Sequence, residues 1–266
     1  MKYRPLAQTG LIILILVFFI ACFGPFLLPF TYYTTNLEIA NQPPSTAHWF
    51  GTDDLGRDMF IRCCYGSRIS LVIGVTAAFL DLIIGLLWGG FSGLYGGKAD
   101  ELMMRFADIC YSLPYLLVVI LITVILGPGL MTIIAALCIT GWITMARVVR
   151  AQVLQLKQQD YVLASRLMGA SNIHILTKHI IPNALSPIIC TLTLTIPSAI
   201  FAEAFLSFLG LGVQAPNASL GTMASEGLPA LEYYPWRILF PLGFISTTML
   251  GFNLIGDALG NVYERK

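Results

Sequence analysis

Residues 109–145, ICYSLPYLLVVILITVILGPGLMTIIAALCITGWITM, contain no Asp, Glu, Lys or Arg. A helix needs about 20 apolar residues to cross the hydrocarbon core of a bilayer, so this stretch is too long for one crossing. Gly127-Pro128-Gly129 stands near its middle, where a tight turn between two helices belongs. The reading is a hairpin of two membrane helices, over 109–126 and 130–146, with little of the turn outside the membrane.

Four further apolar stretches have the length to cross, at 11–30, 71–95, 187–209 and 238–256. Composition agrees with lipid as the solvent. The chain is 57% hydrophobic and 11% charged, against about 25% charged in an ordinary soluble domain, and its mean hydropathy is +0.79. The expected fold is all-α: a polytopic membrane protein with six transmembrane helices, one integral domain over 1–266 and no internal repeat. The first apolar run follows Lys2 and Arg4 but outruns a signal-peptide core, and no small-residue cleavage site stands out after it, so it is expected to remain as a span. A net charge of +1 speaks against a nucleic-acid partner, which would demand a dense basic stripe. The six cysteines, at 22, 63, 64, 110, 138 and 190, form no C-x-x-C pair and have no histidine cluster nearby, so they read as small buried hydrophobes and no metal site is expected.

With a cytoplasmic N-terminus, eleven Lys and Arg fall on the inner side: Lys2, Arg4, Lys98, Arg105, Arg147, Arg150, Lys157, Arg166, Lys178, Arg265 and Lys266. Only Arg57, Arg62, Arg68 and Arg237 fall outside. The excess places both termini in the cytoplasm. Two external segments result, 31–70 and 210–237, and one large cytoplasmic loop, 147–186. Tyr32, Tyr33, Trp49, Tyr233, Tyr234 and Trp236 cluster by the external segments, as an interfacial belt would. Arg57 and Asp58 are expected to pair and fold the first external segment.

Within the cytoplasmic loop, residues 160–183 read DYVLASRLMGASNIHILTKHIIPN. Asp160 is a candidate N-cap and Gly169 a helix stop; Ser171 or Asn172 can cap a second helix, which must end or bend at Pro182. Such a pair could simply lie in the membrane interface. Its detail points elsewhere. The segment resembles the EAA signature of ABC importer permeases, in which Glu-Ala-Ala, a glycine four residues on and a downstream Ile-x-Leu-Pro dock the ATPase. Those positions are Leu163-Ala164-Ser165, Gly169 and His179-Ile180-Ile181-Pro182 here; Ala164, Gly169 and Pro182 match outright. The departures suit the dipeptide/oligopeptide/nickel branch, which is similar at Tyr161 to Ser171 and at His179 to Asn183. Other stretches resemble the same branch, among them 51–58, 66–71, 95–97, 127–130, 203–214, 235–236 and 252–257.

That resemblance implies the type I importer permease fold, with a coupling helix between spans 4 and 5 and a place in the bacterial cytoplasmic (inner) membrane. It implies a homologous second permease subunit, two ATP-binding subunits and an extracytoplasmic peptide-binding protein as partners. ATP and Mg would sit on the partner subunits, and this chain would bind no cofactor. Asp160, Tyr161, Ala164, Arg166, Gly169, Ala170, Ser171 and Pro182 would contact the ATPase. Di- or oligopeptides are the implied cargo, with nickel or another small solute as the alternative within the branch.

No nucleotide site or catalytic residue is apparent in the chain itself. Gly97-Lys98 lacks the rest of a P-loop, and Gly210-Leu-Gly-Val-Gln-Ala215 follows a membrane helix where a dinucleotide fingerprint requires a strand. Charged side chains within spans are costly and tend to face protein or water. Asp81, Glu203 and Ser207 are therefore candidates for the translocation path, with helix packing as the bland reading. Glu203 lies about 24 Å along its span from Pro187 at 1.5 Å per residue, in the outer part of the membrane. A proton-coupled secondary transporter could relay through Asp81 and Glu203, but such chains carry internal repeats and more spans.

Overall fold

The computed structural model describes residues 4–214 and 217–263. Lys2, the Arg4 side chain, Arg265 and Lys266, all counted above toward orientation, lie outside the described residues, as does Ala215. The helices are α1 (Arg4–Phe23), α2 (Met59–Tyr95), α3 (Gly97–Ser112), α4 (Tyr115–Leu126), α5 (Leu130–Thr140), α6 (Trp142–Leu156), α7 (Asp160–Leu167), α8 (Asn172–His174), α9 (Ile181–Phe208), α10 (Leu220–Gly227) and α11 (Trp236–Tyr263). A π-helical segment, Ile175–Ile180, joins α8 to α9. Among the described residues the extended pairing is a single bridge, Thr52 with Asp58. The all-α expectation holds.

Five continuous helical segments are long and apolar enough to cross a membrane: Pro5–Phe26, Met59–Tyr95, Leu130–Leu156, Asn172–Phe208 and Trp236–Asn261. A sixth passes only as the pair α3 and α4, bent by 83°. The expected straight helix over 109–126 is thus corrected. Residues 109–112 belong to α3, which also carries Lys98, Asp100, Glu101, Arg105 and Asp108. Leu113 precedes Pro114 and is extended (φ −70°, ψ 132°), as the clash of the proline ring with a preceding helical residue requires. Alone, α4 rises about 18 Å, short of a hydrocarbon core of about 30 Å.

The longest helix, α2, is the spine against which α6 and α9 pack. Gly85, Gly89 and Gly93 repeat every four residues on the face toward α6; a Cβ at Gly89 would overlap the Ala146 carbonyl. Small residues at this spacing let membrane helices approach backbone to backbone. Polar bonds tie this part of the chain to α3 and to α2. Arg150 grips Asp100 with Nε and Nη2, both at 2.6 Å, and Lys157 Nζ donates to the Gly93 carbonyl at 2.8 Å. Ile73, Ala77, Ile133, Ala136 and Leu206 form the apolar core shared by α2, α5 and α9, while α1 packs on α11.

At the Met59 end, the segment before α2 is folded by buried charge. Asp53 Oδ1 accepts the Leu55 and Arg57 amides at 3.0 and 2.9 Å. Its Oδ2 receives Arg57 Nε at 2.6 Å and also Arg62. Glu226 on α10 accepts from Arg62 Nη2 at 3.1 Å and Arg57 Nη2 at 3.4 Å. Arg57 therefore does not pair with Asp58, as the sequence had suggested. Asp58 caps α2 by accepting the Ile61 amide at 2.9 Å and meets His48 Nδ1 at 2.7 Å. Its carboxylate is more useful at the helix N-terminus, where four amides lack intrahelical partners.

Candidate functional site

Beyond α6 the chain leaves the bundle as a short helical projection. Only Val162 and Ser165 of α7 are buried. Val162 packs into a cluster with Val149, Val153, Ile175 and Ile180, and Ser165 Oγ lies 3.2 Å from His179 Nε2. The rest of α7 faces outward, and at its tip Leu167 and Met168 are 89% and 82% exposed. Gly169 turns the chain with φ +84° and open space around it. Its amide donates to Arg166 O at 3.0 Å and that of Ala170 to Ser165 O at 3.1 Å, the Schellman pattern that ends a helix at a left-handed residue. Backbone conformation, not crowding, selects glycine there.

Asp160, Tyr161, Ala164, Arg166, Gly169, Ser171 and Pro182 are all exposed, and Ala170 is half-buried. Two boundaries need correction. Asp160 is the first residue of α7 and not its cap; the cap position belongs to Gln159, which makes no side-chain cap bond. Ser171 does cap, accepting the His174 amide at 3.3 Å. The second helix does not end at Pro182, because the π-helical turn just before it delivers Pro182 into the first turn of α9, where a missing N–H costs nothing. The helical stretch that follows the tip and the membrane span are consequently one continuous segment, Asn172–Phe208.

Inside the bundle, the two carboxylates singled out by sequence have opposite surroundings. Glu203 on α9 is fully buried. Its Oε2 accepts Ser70 Oγ at 2.7 Å; its Oε1 accepts Ser207 Oγ at 2.8 Å and Ser219 Oγ at 2.7 Å. Three hydroxyl donors thus tie α2, α9 and the cap of α10 to one side chain. Ser207 also borders a small polar cavity of about 210 Å³ that includes Arg57, Arg62 and Glu226.

Asp81 on α2 is 3% exposed, and its Oδ1 is buried without a hydrogen-bond partner among the described residues. Its carboxylate lies against Gly141, where α5 joins α6; a Cβ at Gly141 would overlap it. The group opens on a cavity of about 520 Å³ whose lining includes Tyr115, Thr140, Thr144, Thr191 and Thr195. Asp81 and Glu203 do not share a site.

Sequence reading missed Ser70, Ser219 and Glu226 as polar partners, and Tyr115 as a cavity-lining residue. Glu226 carried a signal, an acidic residue in one external segment facing arginines of the other. The serine donors carried none, since Ser70 and Glu203 are 133 positions apart.

A polytopic helical bundle, polar in selected places within its spans and bearing an exposed helical tip at one end, defines a membrane-embedded transport subunit. Residues 82–266 match the family described as the binding-protein-dependent transport system inner membrane component, and residues 1–44 match the N-terminal TM domain of oligopeptide transport permease C. The chain belongs to this inner membrane component family. It is 60% identical to the oligopeptide transport system permease protein OppC of Bacillus subtilis, covering 100% of this chain and 87% of that one. To the dipeptide transport system permease protein DppC of the same organism it is 54% identical, covering 100% and 83%. Among solved structures, the inward-facing MetNI methionine ABC transporter is similar with a TM-score of 0.62 at 21% identity, over 72% of this chain and 91% of that one. That likeness supports the importer permease fold. The protein is a multi-pass membrane protein and a permease subunit of a transporter complex.

Proposed function

We propose that this chain is one of two permease subunits of an ATP-driven importer of di- or oligopeptides, delivered by an extracytoplasmic binding protein. The observation that carries the reading is the near-full-length identity with oligopeptide and dipeptide permeases. Two ATP-binding subunits would supply ATP and Mg. They would seat on the exposed tip formed by Tyr161, Ala164, Arg166, Leu167, Met168 and Gly169, with Asp160, Ala170, Ser171 and Pro182 at its margins.

Arg147, Arg150, Lys157, Arg166 and Lys178 lie in or beside this projection, so we infer a cytoplasmic tip with both termini on the same side. Because α7 packs on the π segment through Val162 and Ser165, and α8, the π segment and α9 are continuous, movement of the tip is delivered to the span that carries Glu203 and Ser207. We assign Asp81 to the wall of the translocation path. Glu203 and Ser207 act by holding α2, α9 and α10 together beside that path.

Uptake of labelled di- to pentapeptides by cells lacking this chain, with and without the chain restored, tests the cargo, with nickel uptake in parallel. Restored peptide uptake is the expected result. Restoration of nickel uptake alone would overturn the peptide cargo.

A further inference from the structure

Two of the buried polar atoms without partners among the described residues, Asp81 Oδ1 and the Tyr115 hydroxyl, belong to residues lining the same cavity. A buried carboxylate without a partner is costly, and in a membrane protein such a group is retained where it is used. The hydroxyls contributed by α9 have already spent their hydrogens on their own helix. Thr191 Oγ1 donates to Pro187 O at 2.9 Å, Thr195 Oγ1 to Thr191 O at 2.9 Å and Ser198 Oγ to Leu194 O at 3.1 Å. What these residues still have to give is acceptor lone pairs.

A carboxylate set among acceptor hydroxyls complements a group with positive charge, several N–H donors and no acceptor. A primary ammonium, which every peptide with a free amino terminus carries, is such a group. An incoming carboxylate would meet the like charge of Asp81 and, along α9, hydroxyls whose hydrogens are already spent. The cavity volume of about 520 Å³ falls in the range of small-ligand sites, about 300–1,000 Å³. A small residue shapes it: Gly141 lets the carboxylate lie directly against the α5–α6 junction.

We propose that the Asp81 cavity holds the ammonium group of the cargo peptide during its passage, with Asp81 as counter-ion and the Thr and Ser hydroxyls as neutral acceptors. This rests on the peptide-import reading above. The binding protein selects cargo before the permease meets it, so a site in the permease acts on the maximal rate and leaves the half-saturating concentration unchanged.

The test uses the complete transporter in proteoliposomes with saturating binding protein, comparing wild type, Asp81→Asn and Asp81→Glu. Trialanine, N-acetyl-trialanine and an N-acetylated tripeptide with a central lysine are the probes. Asparagine keeps the shape and removes an unpaired charge, so insertion should persist.

Loss of a charge-assisted hydrogen bond predicts that Asp81→Asn lowers the maximal trialanine rate by about tenfold or more. Asp81→Glu should recover most of it, and N-acetyl-trialanine should move equally in all three. Dependence on Asp81 for the lysine peptide as well would support a site reading any primary ammonium; independence would support one reading the amino terminus. Equal losses for free and acetylated trialanine, as pairing with a basic side chain of the second permease would give, overturn the proposal, as does no loss for either. Wild-type transporter that moves no peptide overturns the import reading and this proposal together, whereas peptide transport indifferent to Asp81 overturns this proposal alone.

Discussion

At the Met59 end of the bundle charged side chains are buried and satisfy one another; at the α7 end apolar side chains stand in the open. Arg57, Arg62 and Asp53 are nearly inaccessible, and each has a partner of opposite sign. Leu167 and Met168 are almost wholly exposed on a helix seated by only two buried residues. Buried ions are tolerated when paired and hydrogen-bonded, and at the first end every buried ion is paired, with Arg62 Nε the one buried polar atom there left without a partner among the described residues. An apolar tip gains by being covered, which supports the docking role proposed for the second end. Glu203 and Asp81 repeat the contrast within the membrane: one carboxylate is saturated by three serines, and the other faces a cavity.

The largest effect should come from Arg62→Met, which strips a partner from Asp53 and Glu226. Breaking a buried ion pair from one side costs about 3–5 kcal/mol, to be read from thermal unfolding in detergent; unchanged stability would dissolve the distinction between the ends. Glu203→Ala leaves three serine hydroxyls without their acceptor, at about 1–3 kcal/mol, and Glu203→Gln should cost less.

A smaller effect concerns acid. Burial raises the Asp53 carboxyl, but the Arg62 charge and the amide and charge of Arg57 outweigh it and hold Asp53 below its ordinary range. Its folded-state value lies below the unfolded one, so its contribution is whole above the unfolded value of about 3.9 and fades as pH falls through the folded one. The unfolding temperature should drop below about pH 4, and Asp53→Asn should flatten that limb of the profile. The smallest effect on stability belongs to Leu167→Asp, within about 0.5 kcal/mol as for other surface changes. A large destabilisation would mean that the tip is held by the bundle itself.

The long apolar stretches disclosed the hairpin and five continuous crossings because hydrocarbon thickness is a severe, local constraint on sequence. Gly169 was legible for a similar reason: the turn it makes is decided by its own φ. The bend at Leu113-Pro114 also had a local signal, the residue before proline, but the apolar character of 109–126 masked it. Asp100 and Arg150 anchor α3 across 50 positions, so that helix looked like loop. The fates of Glu203 and Asp81 were illegible in principle. Each is set by what other helices bring: serines from α2 and the α10 cap in one case, a glycine at the α5–α6 junction and a cavity in the other.

Co-purification of the ATP-binding subunits with membrane-inserted Leu167→Asp and Gly169→Asp chains tests the account most directly. The account predicts that both variants insert as the parent does and lose the ATPase, and that transport disappears with it. ATPase recovered at the parental level with either variant would contradict the assignment of the exposed tip as the docking element.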